Sequence, residues 1–353
     1  DADEPFQDTI EATAFELSDS TDVTGGVTTT GAVRTLAGVA EDPFAGTIEA
    51  LGHFDLTIFE DGGSDFRSGE LESVELVLAF DYVFGDTTST VEFELRDISA
   101  AWSADGRRSQ NPPPVDVPIM TFSVNASADQ VRIELPSNWV DQHALEIQTT
   151  SFESLFHGFQ LRPVSGNAVL GISSIDSEMI AATVENDTSR YAITRRHSMV
   201  NRSGGQIPAG SLLLQDGAQS VVSLRFPVGE ESLDAAAIHR FLIRLTQSDG
   251  VPAAPQHFVW PSVTQIGLRA VALDQTTALT IQTIDVDPDS EQLLFDSSVI
   301  ASVVQRALQQ NSNLDRFEVY VPTVQSGVGY LLLNDLSAGT GVPNAIVTLT
   351  DLN

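Results

Sequence analysis

Residues 66–102 read FRSGELESVELVLAFDYVFGDTTSTVEFELRDISAAW. A turn at Arg67-Ser68-Gly69 leads into Leu71, Val74, Leu76, Leu78 and Phe80, and the chain continues through Tyr82-Val83-Phe84 to a break at Gly85-Asp86-Thr87-Thr88. Beyond the break, Val91-Glu92-Phe93-Glu94-Leu95 alternates apolar and acidic residues, the period of a strand with one face in a core and the other in water. Two strands joined by a short Gly-Asp turn predict a β-hairpin, expected at the centre of a first sandwich domain.

The same vocabulary extends in both directions. Short apolar runs recur at 10–17, 53–59, 119–124, 131–135, 159–162, 168–172, 179–184, 190–196, 221–226, 238–245, 263–268, 277–284, 317–321, 330–333 and 345–349, separated by Gly, Pro, Asp and Asn. Residues 297–310 (SSVIASVVQRALQQ) carry helical spacing at Ile300, Val303, Val304, Ala307 and Leu308 behind a serine cap. Residues 138–143 and 151–156 read as single helical turns. Many short strands with hardly any helix predict an all-β chain of two tandem β-sandwich or jelly-roll domains with one or two short helices. At 353 residues the chain suits two domains, drawn at 1–185 and 186–353.

Charge excludes several functions. There are 49 acidic residues against 17 basic ones, a net charge of −32, and every basic residue is Arg. Such a surface repels nucleic acid and opposes adsorption to anionic lipid. Its self-repulsion is screened at high salt, and the missing Lys points to a halophile-like source. Cysteine is absent, which excludes disulfides, Cys-zinc sites and thiol catalysis. The opening Asp1-Ala2-Asp3-Glu4-Pro5 looks like a mature end after export.

Residues 36–46 (LAGVAEDPFAG) carry two glycines around an Asp-Pro turn. This stretch resembles the signature of an uncharacterised family of Bacteroidota outer-surface lipoproteins. Residues 68–80, 152–161, 214–226 and 297–310 are similar to that family in the same order, and the two halves look like its DNRLRE-like jelly-roll modules. The resemblance implies export and an outer-membrane lipid anchor on a cysteine that this chain lacks. It implies no activity, so no catalytic residue is carried over.

Candidate chemistry is sparse. Asp285, Asp287 and Asp289 place carboxylates at alternate positions, a spacing that can wrap Ca²⁺, although Pro288 stiffens the run and no EF-hand glycine follows. The six histidines show no ligand spacing, and no G-x-S-x-G elbow occurs. Trp102, Trp139 and Trp260 are candidate stacking platforms for sugar rings, weighed against ordinary core packing. Arg195-Arg196 with Arg202 forms a basic cluster, read as balancing local carboxylates. No other cofactor is expected. The sequence thus predicts a non-enzymatic, exported cell-surface protein in assembly or adhesion, its partners other surface proteins or copies of itself, with membrane attachment only through a lipid; the alternative is a carbohydrate-binding surface lipoprotein.

Overall fold

The computed structural model describes residues 34–102, 112–217, 221–225, 236–248, 254–273, 278–310, 314–322 and 327–351, together with the backbones of three N-terminal strands, Asp8–Ala12, Glu16–Asp19 and Gly25–Thr28. The fold is all-β, with antiparallel sheets and four helices among the described residues.

In the first half, Gly46–Glu60 pairs along most of its length with Thr188–Ser203. That strand pairs with Glu178–Thr183, which pairs with the first part of Leu71–Asp86. The second part of Leu71–Asp86 pairs with Ala168–Ser173, which returns through Arg34–Asp42 to Gly46–Glu60. These six strands close a hydrogen-bonded ring. Phe159–Ser165, Thr90–Ile98 and Val115–Asn125 extend from it as a flap. One core joins both parts and includes Phe54, Leu76, Phe93, Phe159 and Tyr191, each at most 1% exposed. Helix Ser137–Ile147 starts after Pro136 and buries Trp139, Val140 and Ile147, one apolar stripe, against this core.

The second half packs two sheets face to face. Asn344–Asp351, Ala236–Thr246 and Gln292–Asp296 make one; Ala278–Asp285, Gln265–Ala272, Leu314–Tyr320 and Val221–Arg225 make the other. Phe241, Leu245 and Phe295 from the first meet Leu224, Leu268 and Phe317 from the second. Helix Ser298–Gln310 adds Ile300 and Val304 to that core, as its spacing predicts.

The N-terminal segment crosses all of this. Asp8–Ala12 pairs with the Asn344–Asp351 strand, Glu16–Asp19 with Val221–Arg225, and Gly25–Thr28 with Thr188–Ser203. Each is the outermost strand of its sheet. The alternating run at 10–17, expected as one strand, falls on two of them, with residues 13–15 outside the described set.

A third core cluster joins the halves. Phe84, Ile48 and Val169 from the ring meet Leu213, Phe258, Val328 and Leu332 from the second half, and Phe84 meets Phe258 edge to face at 5.6 Å between centroids. The Asp-Pro turn is the polar part of this junction. Asp42 Oδ1 accepts the Phe44 and Ala45 amides at 2.8 and 2.6 Å, and its Oδ2 accepts the indole N–H of Trp260. Gly46 sits at φ +80° with the Ser203 carbonyl where a Cβ would be, so the tight turn depends on glycine.

One expectation is corrected. Leu71–Asp86 and Thr90–Ile98 are both strands, but they do not form a hairpin. At its distal end the first strand is flanked by Ala168–Ser173 and Phe258–Val259, so neither edge is free for the second. Asp86 instead caps an Asx turn, accepting from the Thr88 N–H and hydroxyl at 2.8 and 2.7 Å, and the chain crosses into the flap. Thr188–Ser203, which begins beyond the division drawn at 185, is a member of the first ring.

Candidate functional site

The three tryptophans are each engaged by protein neighbours. Trp139 is 4% exposed, stacks on His143 with centroids 4.5 Å apart, and donates its indole N–H to Asp97 at 2.8 Å. Trp102 is half-buried and donates to the His157 carbonyl at 2.8 Å. Trp260 is half-buried at the junction, between Phe44, Phe258 and Tyr330. A sugar platform needs an open ring face; Trp139 is buried, whereas Trp102 and Trp260 keep part of their surface in solvent.

The acidic run is a hydrogen-bonded turn. Asp285, Asp287 and Asp289 are exposed. Asp287 Oδ1 accepts the Asp289 N–H at 2.9 Å, and Gln247 Nε2 donates to the Asp287 and Ser290 carbonyls. Among the described residues no three acidic or histidine groups gather in a form that holds a metal, so the calcium expectation finds no site here. Of the basic cluster, Arg195 pairs with the buried Asp55 at 3.0 Å and Arg196 donates to Ser174.

Two buried polar sites went unnoticed in the sequence. The first lies where the halves meet, around a cavity of about 250 Å³ bordered by Arg34, Tyr82, Asp216, Thr264 and Gly327. Asp216 accepts the Gly217 N–H at 2.8 Å and the Gly327 N–H at 2.7 Å. Tyr82, from the ring, accepts the Val328 N–H at 2.8 Å. The Arg34 guanidinium lies 5.2 Å from the Tyr82 ring centroid and is bound by Asp81 at 2.8 Å. Burial pushes the Asp216 carboxyl up to about 7; the Gly327 and Gly217 amides and Arg34 oppose the rise without cancelling it. Burial likewise raises Tyr82.

The second is a histidine pair. His53 and His197 stand opposite each other on adjacent strands, 0% and 2% exposed. Their Nδ1 atoms are 3.4 Å apart, and Gln160 Nε2 lies 2.8 Å from His53 Nε2. The Gln160 amide donates to His53 Nε2, so His53 carries its proton on Nδ1, facing His197 Nδ1, and His197 Nε2 is left buried with no partner. Burial, and then repulsion from His197, bring His53 down to about 3; burial brings His197 down to about 4. Both rings are therefore neutral at pH 7. Elsewhere, burial lowers His143, but its bonds to Asp97 and Glu146 outweigh that and raise it. The turn signal Gln215-Asp216-Gly217 was visible in sequence, but its burial was not. The histidines lie 144 residues apart, with no local motif.

No protein-family model matches the chain, and no curated protein is significantly similar to it. Among solved structures, the chain is similar to a "putative secreted protein" from Parabacteroides distasonis, at 10% identity over 95% of this chain and 99% of that one, with a TM-score of 0.23. A second is the M60 catalytic domain with the CBM51-1 and CBM51-2 domains of Clostridium perfringens ZmpB, at 10% identity over 96% of this chain but 39% of that one, with a TM-score of 0.17. Superpositions this loose carry no argument about fold or function.

Proposed function

We propose that this chain is a non-enzymatic, exported cell-surface protein with a structural role, joining an assembly by addition of strands to sheet edges. The observation that carries the reading is the N-terminal segment, whose three strands each complete the edge of a different sheet. A sheet edge is a row of unpaired N–H and C=O groups that a strand from any chain can satisfy. Edges that accept a strand from this chain's N-terminus accept the same strand from a second copy with the same register. The resemblance of residues 36–46 to a family of exported surface proteins points the same way.

The test uses the absence of cysteine. Thr9 and Thr348 face each other in the register of the first pairing, so Thr9→Cys with Thr348→Cys forms a disulfide across that edge. Oxidation of full-length protein in molar salt should give covalent dimers and longer species whose fraction rises with protein concentration. Monomeric, purely intrachain crosslinking at every concentration, with isolated antibody label rather than lattice or filament density in electron cryo-microscopy of the native cell surface, would overturn the reading.

A further inference from the structure

We infer that a cleft in the second half is a binding site for neutral, hydroxyl-rich ligands, of the oligosaccharide class. The cleft has a volume of about 500 Å³, within the usual range for ligand sites. It lies where the ends of Ser211–Gln215, Ala236–Thr246 and Tyr330–Asn334 meet the loop after Asn334. Ser211, Thr246, Ser248, Gln292, Asn334 and Thr340, which carry hydroxyl or amide groups, are among the residues that line it. Hydroxyls and amides both donate and accept, which matches the mixed demand of sugar hydroxyls.

Charge narrows the ligand. The chain carries −32, yet Glu291 is the sole ionisable group among the described residues lining the cleft. No cationic side chain there would hold a phosphate or carboxylate, and one exposed carboxylate makes a poor cage for a metal. No aromatic ring is among the described residues that line it, so recognition would rest on hydrogen bonds rather than stacking.

The cleft is held open by its own bonds. The Asp335 N–H donates to the Gly210 carbonyl at 2.9 Å, and Asp335 Oδ1 accepts the Ser337 N–H and hydroxyl at 2.6 and 2.7 Å. Asn334 Nδ2 donates to the Thr340 carbonyl at 3.1 Å, tying the far end of the loop to the strand. The Ser211 and Ser248 hydroxyls meet at 2.8 Å across the floor. Gly341, at φ +66°, lets the loop close: a Cβ there would stand 2.9 Å from Thr246 Cγ2 and 3.0 Å from Asn334 Nδ2. Gln247 reaches from the same wall to hold the Asp287–Ser290 turn. Little reorganisation is then charged against binding.

The test is a panel of neutral oligosaccharides (glucan, mannan, galactan and xylan fragments) printed as an array and probed with full-length protein in molar salt. Hits are then titrated by calorimetry. Thr340 is exposed on the loop, so Thr340→Trp fills the cleft without touching a core. It should weaken the best ligand at least tenfold with an unchanged melting temperature, and Gln292→Ala should weaken it to a lesser degree. Failure to bind any neutral glycan, binding restricted to charged glycans, or affinity indifferent to both substitutions would overturn the assignment. The strand-crosslinked protein should bind as the parent does, which separates this site from the assembly reading.

Discussion

Between pH 7.5 and pH 5, the unfolding free energy of the double variant His53→Gln/His197→Gln should rise by about 4 kcal/mol relative to that of the parent chain. The reason is the buried histidine pair. An ordinary imidazole titrates near 6.5, whereas folding brings these two down to about 3 and about 4. A depressed histidine is neutral in the folded chain and takes a proton in the unfolded one, so its burial is tolerated above 6.5 and costs stability as the pH falls below it. Over the one and a half units from 6.5 to 5, each group costs about 2 kcal/mol, at about 1.4 kcal/mol per unit. Because neither ring is protonated in the folded state at pH 5, the two costs add. That sum is a large share of a total stability of about 5–15 kcal/mol. Denaturant titrations of both proteins at the two pH values, at constant molar salt, give the double difference directly. Parallel pH profiles would show that the pair is solvated or paired otherwise than by the Gln160–His53–His197 chain.

What sequence could and could not foresee follows from the range of each interaction. Val91, Phe93 and Leu95 are buried with Glu92 and Glu94 partly exposed between them, as their alternation predicts, because the two faces of a strand are a local matter. The partner of that strand is not local. Whether Thr90–Ile98 folds back on Leu71–Asp86 depends on who already holds the edge, and the holders lie at Ala168–Ser173 and Phe258–Val259. Helix Ser298–Gln310 was legible in full, since its apolar stripe is intact from Ile300 to Leu308. Helix Ser137–Ile147 was read as a single turn, since its exposed face carries Leu145 and its buried one His143, blurring the stripe. The tryptophans were suspected because indole suits both a sugar and a core. Their acceptors lie 42, 55 and 218 residues away, beyond the reach of any local pattern. The Asp-Pro turn was seen as a bend, but not that Asp42 would accept a hydrogen bond from the other half.

Asp216→Asn should shift the pH profile in the opposite sense to the histidine variant, gaining about 3 kcal/mol on the parent between pH 5 and pH 7. The Asp216 carboxyl is buried at the junction and raised from 3.8 to about 7. A carboxyl whose folded value is raised binds its proton more tightly folded than unfolded. Its contribution is most favourable below 3.8 and is lost as the pH climbs through 7, after which the loss is constant. Two units at about 1.4 kcal/mol each give the expected difference. Asparagine does not titrate, so the slope disappears. At pH 5 the variant should itself be weaker than the parent by about 1–3 kcal/mol, because an amide nitrogen then faces one of the two glycine N–H donors that Asp216 now accepts. A variant with the parent's slope would place the titrating group elsewhere. The two titrations together set what these three groups contribute to the parent's profile. Below 6.5 two histidines act against one carboxyl, so their loss prevails and the joint contribution falls with acid; between 6.5 and 7 the carboxyl acts almost alone and the joint contribution falls with base. The contribution of these three groups is greatest near pH 6.5, and each variant moves that optimum toward the side on which its own residue was the cost.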